Sequence, residues 1–268
     1  MREFPPVTSR RNPIVQQFRR ARDGADPSHF VVEGVRFIEE AAAARAELEV
    51  VLVSEELVNS DRVKPIIEKL QQIGVDVRHA ADPVLDAVSF TETSQGISAL
   101  ARRKSVELKA IFNISNPFVV VAAGISDPGN LGTLLRTANA AGATGFVVLK
   151  DSVSPWNDKA LRASAGSIFR LPVAANVKFT EMLPLIRQAR ARLVATSAVR
   201  GEIYYQFNMK PPIVLILGNE GFGVSEEVRS ASDAFVKIPL AAGVESLNVA
   251  AAGAILCFEA ARQSGIVK

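Results

Sequence analysis

IVLILGNEGFGVSEEV, Ile213–Val228, decides the fold of this chain. Its first five residues are apolar without interruption and run straight into Gly218-Asn219-Glu220-Gly221-Phe222-Gly223. Ser225, followed by Glu226 and Glu227, reads as the N-cap and acidic first turn of a helix. A strand apolar on both faces belongs inside a parallel sheet covered by helices. The glycines fall as G-x-x-G-x-G, the reverse of a dinucleotide fingerprint, and no P-loop Lys-Ser/Thr follows. Glu220 is placed either to bond the donors of a ligand or to cap neighbouring amides.

Two other stretches share this design. AGISDPGNLGTLLRTANAAG, Ala123–Gly142, puts Gly129, Asn130 and Gly132 at a helix start. Arg136 follows Gly129 by two helical turns, on the face that looks back toward the loop. It is the sole charge between Asn130 and Leu149, so it needs either a structural salt bridge or a wetted, functional position. IPLAAGVESLNVAAAGAILCFEAAR, Ile238–Arg262, leads through a loop to a long Ala-rich helix with Ser246 and Asn248 at its start, Ser246 being either a plain N-cap or a functional group. Cys257 falls mid-helix on an apolar face and reads as core. Open α/β sheets bind ligands beyond the carboxyl ends of their strands, where all three loops fall.

Around them, apolar strands are expected at Phe118–Ala122, Gly145–Leu149, Leu171–Ala175, Leu193–Ser197, Ile213–Leu217 and Ala234–Ile238, with helices between. A separate alternation precedes them. Strands are expected at His29–Glu33, Leu48–Ser54, Val75–Arg78 and Gln95–Arg103, and helices at Val35–Arg45 and Arg62–Ile73. The domain reading is therefore 1–104, a linker over 105–116, and 117–268. At about 150 residues per domain, 268 residues accommodate two.

Composition excludes several classes. A single Cys rules out a disulfide scaffold and a thiolate metal cluster, and no metal site is expected. No apolar run reaches the roughly 20 residues that span a bilayer, and the charged N-terminus lacks a signal-peptide core, so a cytoplasmic protein without membrane contact is expected. Both His precede residue 80, leaving the second half without an imidazole base. The net charge of +3 hides a local surplus: residues 1–22 hold six Arg against Glu3. Asn12 reads as a helix N-cap, Pro13 as the first helical residue, and Ile14, Val15 and Phe18 as the buried stripe. Arg19, Arg20 and Arg22 then project outward, and with Arg10 and Arg11 they are read either as a solvated face or as RNA contacts.

DPGNLGTLLRTANAAG, LILGNEGFGVSEEV and IPLAAGVESLNVAAAGAIL, in this order, resemble the three motifs of the SpoU/TrmH branch of the SPOUT methyltransferases. FVVEGVRFIEEA, Phe30–Ala41, resembles the small α/β RNA-binding domain that many members carry N-terminally. The resemblance implies methyl transfer from S-adenosylmethionine to a ribose 2′-hydroxyl of RNA. It also implies a trefoil-knotted catalytic fold and a homodimer with its active site at the subunit interface. Carried over by motif, the catalytic candidates are Asn130, Arg136, Glu220, Ser246 and Asn248. Cofactor binding falls to Thr196, Ser197, Leu217, Gly218, Asn219, Glu220, Gly221, Ile238, Leu240, Ser246 and Leu247. One departure stands out, because Ala250 replaces the second Ser of the usual S-L-N-V-S. Ribosomal RNA is the favoured substrate, since a separate RNA-binding domain suits a large structured target; transfer RNA stays open. The competing classes are a nucleotide-dependent α/β enzyme, which lacks its fingerprints, and a catalytically silent RNA-binding assembly factor.

Overall fold

The computed structural model describes residues 5–104, 106–219 and 221–266, which form two compact units dividing between Lys104 and Ser105. In the first unit, β1 (His29–Glu33), β2 (Leu48–Val53), β3 (Asp76–His79) and β4 (Ile97–Arg102) form a sheet ordered β1-β4-β2-β3. β4 runs antiparallel to both β1 and β2, and β2 runs parallel to β3. The helix Pro13–Arg22 starts as expected: the Asn12 side chain accepts from Ile14 N, Pro13 sits in the first turn, and Val15 and Phe18 are buried. Ile14 is only half-buried, at the rim of that core. One short helix, Asp82–Val88, has no counterpart in the sequence reading. It buries Val84, Leu85 and Val88 against Phe18, Val31, Leu52 and Leu100.

The second unit carries β5 (Phe118–Ala122), β6 (Gly145–Leu149), β7 (Val173–Val177), β8 (Arg192–Thr196), β9 (Glu202–Ile203), β10 (Ile213–Leu217) and β11 (Ala234–Lys237). They pair in the order β7-β6-β5-β10-β8-β11-β9, and every pairing is parallel. All five residues of β5, β6 and β10 are buried, as uninterrupted apolar strands require when helices cover both faces. On one face Val119, Val121, Val147, Leu193, Val214 and Ile216 pack with Met182 and Ile186 of the helix Phe179–Gln188. On the other, Gly253 of the helix Val249–Ser264 lies against Leu134 and Leu217, where a Cβ would not fit.

The chain fills one flank of the sheet with β6 and β7, then returns to place β8, β9, β10 and β11 on the other side of β5. This reversal is the topological switch point at which doubly wound sheets open a crevice. The stretch expected to be a linker, 105–116, carries the helix Leu108–Phe112, whose Ile111 and Phe112 are buried in the sheet-covering core. Its basic and polar residues masked those two apolar anchors. Among the described residues no helix is long and apolar enough to cross a membrane.

Candidate active site

The loops after β5, β8, β10 and β11 leave the carboxyl ends of four neighbouring strands. The loop after β10 is built on Asn219. Its backbone exchanges two 2.9 Å hydrogen bonds with Gly223, closing a tight hairpin. Its Oδ1 accepts from Gly221 N at 2.9 Å and Phe222 N at 3.1 Å, while its Nδ2 donates to the Gly124 carbonyl at 2.9 Å. One side chain thus shapes its own loop and pins it to the end of β5. Gly218 has no alternative here, because a Cβ would collide with the backbone of Gly223.

The loop after β5 opens the helix Pro128–Ala140. The Asp127 side chain accepts from Asn130 N at 2.7 Å, and Pro128 occupies the first turn. Gly132 lets this helix approach the carbonyl of Ala160, where a Cβ would clash. The loop after β11 ends at Asn248, not Ser246, which corrects the expected N-cap. Asn248 Oδ1 accepts from Ala250 N and Ala251 N, and Ser246 lies exposed two residues earlier. Ser246 belongs instead to the wall of a cavity.

That cavity of about 390 Å³ lies at the ends of β8, β10 and β11. Thr196, Ser197, Leu217, Gly218, Asn219, Gly221, Ile238, Leu240, Ser246 and Leu247 all line it. Glu220, carried over to both the catalytic and cofactor sets, lies outside the described residues. Val199, Arg200, Phe222, Arg229 and Phe235 complete much of the wall, and sequence reading had singled out none of them. Val199, Arg200 and Phe222 sit on turns, Phe235 on the short strand β11 and Arg229 on the helix Glu226–Ala231, and only the fold brings them together. Among the described lining residues none is Asp or Glu. A space of this size with apolar walls and a few polar groups suits a small organic ligand.

Three catalytic candidates stand outside this wall. Asn130 and Asn248 meet directly, Asn248 Nδ2 donating to Asn130 Oδ1 at 2.8 Å. Arg136 is exposed on the outer side of its helix and does not line its own chain's cavity. It has no ion pair among the described residues. Leu134, Leu135 and Ala138 occupy the buried face of the helix and leave Arg136 on the exposed one. Burial pushes the Cys257 thiol up to about 12, so it stays protonated and inert at neutral pH. No group of His, Cys, Asp and Glu that could hold a metal occurs among the described residues.

In the first unit, Arg11, Arg19 and Arg20 are exposed. Arg10 donates from Nε to the Pro83 carbonyl at 2.9 Å, leaving the rest of its guanidinium in solvent. Arg22 departs from the expected outward face. Its Nη1 donates to the carbonyls of Ala87 and Ser89 at 3.0 and 3.2 Å, and its Nε to Asp23. Its guanidinium ties the first helix to the end of Asp82–Val88.

Fold and site together define an open, parallel α/β protein with a small-molecule cavity built by loops beyond its strand ends. Residues 117–258 match the SpoU rRNA methylase family, and residues 31–106 match the RNA 2′-O ribose methyltransferase substrate-binding family. This chain belongs to the SpoU rRNA methylase family. It is 30% identical to the 23S rRNA (guanosine-2′-O-)-methyltransferase RlmB of Photobacterium profundum, over 77% of this chain and 86% of that protein. For the Escherichia coli K12 protein of the same name the figures are 30%, 75% and 85%. Among solved structures, an AdoMet-bound rRNA methyltransferase from Sinorhizobium meliloti superposes with a TM-score of 0.84 at 28% identity, covering 98% of this chain and 99% of that one. The AviRb methyltransferase of Streptomyces viridochromogenes, also solved with AdoMet, gives 0.81 at 26%, covering 94% and 98%.

Proposed function

We propose that this protein transfers a methyl group from S-adenosylmethionine to a ribose 2′-hydroxyl of ribosomal RNA, the large-subunit RNA being the substrate class that its relatives carry in their names. The cavity at the ends of β8, β10 and β11 carries this reading, because residues of the second and third motifs converge on it. Its walls fit the cofactor: Leu217, Ile238, Leu240, Leu247 and Leu256 offer apolar surface to an adenine, beside the polar edge of Thr196, Ser197 and Ser246. When bound there, the cofactor supplies an electrophilic methyl on a sulfonium.

The protein's own share is positioning and charge. A ribose hydroxyl is a poor nucleophile until negative charge on its oxygen is stabilised. In a unit without His, that task falls to Arg136, which stabilises the developing alkoxide and orients the neighbouring phosphate bidentately. Asn130 and Asn248 set the loops on which this geometry depends. No residue of the unit is assigned literal proton removal.

Because Arg136 is not among the residues that line its own chain's cavity, the reading includes a homodimer in which Arg136 of one protomer serves the cavity of the other. The knotted path of the family and the cytoplasmic setting belong to the same reading. Arg10, Arg11, Arg19 and Arg20 are proposed as phosphate contacts of the first unit, positioning rather than sequence-reading. Calorimetry with S-adenosylmethionine tests the core of this proposal, and absence of binding sinks it. Mapping 2′-O-methyl sites in total RNA of wild-type and deletion strains tests the substrate: loss of one large-subunit position supports it, and loss of a transfer-RNA position replaces it. Sedimentation tests the dimer.

A further inference from the structure

Two arginines line the cavity, and one of them is already engaged. Arg229 donates from Nη2 to the Val224 carbonyl at 3.3 Å and pairs through Nη1 with Glu226 at 3.4 Å. Arg200 has no ion pair and no side-chain hydrogen bond among the described residues. It is nevertheless held in place. Its guanidinium carbon stands 3.8 Å from the centroid of the Phe235 ring, within the range of a cation–π contact. Its backbone is fixed on both sides. Ser197 Oγ accepts from Arg200 N at 3.2 Å, and Gly201, at φ +107°, rests against the Phe235 carbonyl where a Cβ would not fit.

A stacked guanidinium keeps its planar edge of N–H donors free, the geometry that takes a carboxylate bidentately. The ligand has one group of that kind. S-adenosylmethionine carries a sulfonium and an ammonium, both cationic, and a single carboxylate. The wall holds two arginines and no Asp or Glu among its described residues, a charge that complements that carboxylate. We infer that Arg200, stacked on Phe235, binds the carboxylate of the cofactor's methionine moiety. This rests on the cofactor assignment above.

Isothermal titration of the full chain tests it with two ligands, S-adenosylhomocysteine and 5′-methylthioadenosine, the second lacking the amino-acid end. In Arg200→Ala, S-adenosylhomocysteine should bind about tenfold or more weakly, the loss expected for a charged hydrogen bond. Methylthioadenosine should bind as it does to the unsubstituted protein. Arg200→Lys, which keeps charge without the fork, should lose less, and Phe235→Leu should lose in the same ligand-selective pattern. An equal loss for both ligands would make Arg200 mere cavity wall and overturn the assignment. So would unchanged S-adenosylhomocysteine binding with a raised KM for RNA, which would hand the guanidinium to a phosphate. Failure of the unsubstituted protein to bind S-adenosylhomocysteine would instead remove the cofactor reading beneath it.

Discussion

Asn248 donates its side-chain N–H to the side-chain oxygen of Asn130 across 118 positions of sequence, at 2.8 Å. The same Asn248 caps the helix Val249–Ser264 through its oxygen, and Asn130 is itself held by Asp127 at the start of Pro128–Ala140. One amide therefore joins two helix starts, and its two ends are separable by substitution.

Asn248→Asp keeps the capping oxygens and removes the donor to Asn130. Its thermal midpoint should stay near wild type while methyl transfer falls. Asn248→Ala removes both and should cost about 0.5–2 kcal/mol, the usual worth of an N-cap. Scanning calorimetry beside incorporation of labelled methyl groups into RNA checks the pair. An Asp variant as unstable as the Ala variant would show that capping is not what the oxygen provides.

Arg136→Ala should leave S-adenosylhomocysteine affinity unchanged and abolish methyl transfer. Stability should change by no more than about 0.5 kcal/mol, because an exposed side chain without an ion pair among the described residues leaves nothing unpaired. Arg136→Lys should restore little, since a point charge does not reproduce the planar fork. A variant that loses cofactor binding together with activity would place Arg136 in its own chain's cavity wall.

Gly218→Ala drives a methyl group into the Gly223 backbone and must open the hairpin that Asn219 closes. Overpacking of this kind costs about 1–3 kcal/mol. The larger effect should be on S-adenosylhomocysteine binding, because Gly218, Asn219 and Gly221 all line the cavity. Gly265→Ala, at a helix end with open space around it, serves as the comparison and should bind normally.

The far end of the last helix is tied down by Gln263, which donates to the Phe207 carbonyl at 3.0 Å and accepts from Met209 N at 2.8 Å. Gln263→Ala leaves both backbone groups without that partner and should cost about 1–3 kcal/mol in urea unfolding. Beside it, the Arg262 guanidinium holds the nearly buried Glu259 carboxyl below the usual value of 4.5, with Gln263 contributing. A depressed carboxyl pKa stabilises the fold above the unfolded value, and that contribution fades as pH falls through the folded one. Unfolding midpoints should thus drop below about pH 4.5, and Glu259→Gln should flatten that part of the pH profile.

Much of this was legible in the chain itself, for a physical reason. β5, β6 and β10 are buried on both faces, so their apolar runs mark their own limits, and each begins and ends where the residues change character. β9 is two residues, Glu202 and Ile203, and carries no periodicity to read. The helix Leu108–Phe112 was hidden by the charges around Ile111 and Phe112. The cavity-lining residues were legible because backbone and small residues at strand ends build the cavity, and a motif fixes backbone well. Arg136 was harder. Its position in the motif is plain, but its exposure follows only from Leu134, Leu135 and Ala138 claiming the buried face. Arg200 and Phe235 lay beyond reach, since nothing local announces that a turn and a neighbouring strand will stack a guanidinium on a ring.

Asn219 gives the cavity and the Arg136 helix a shared mechanical fate. Its side chain grips Gly221 and Phe222 on one side and Gly124, just ahead of that helix, on the other. A ligand that stiffens the loop after β10 also stiffens the approach to Pro128–Ala140. Thermodynamic linkage then runs both ways: whatever free energy an occupied cavity lends to the setting of that helix, a substrate seated on the helix returns to the cavity. Ligand binding in the cavity and binding at that helix are thus expected to change one another's affinity by the same factor.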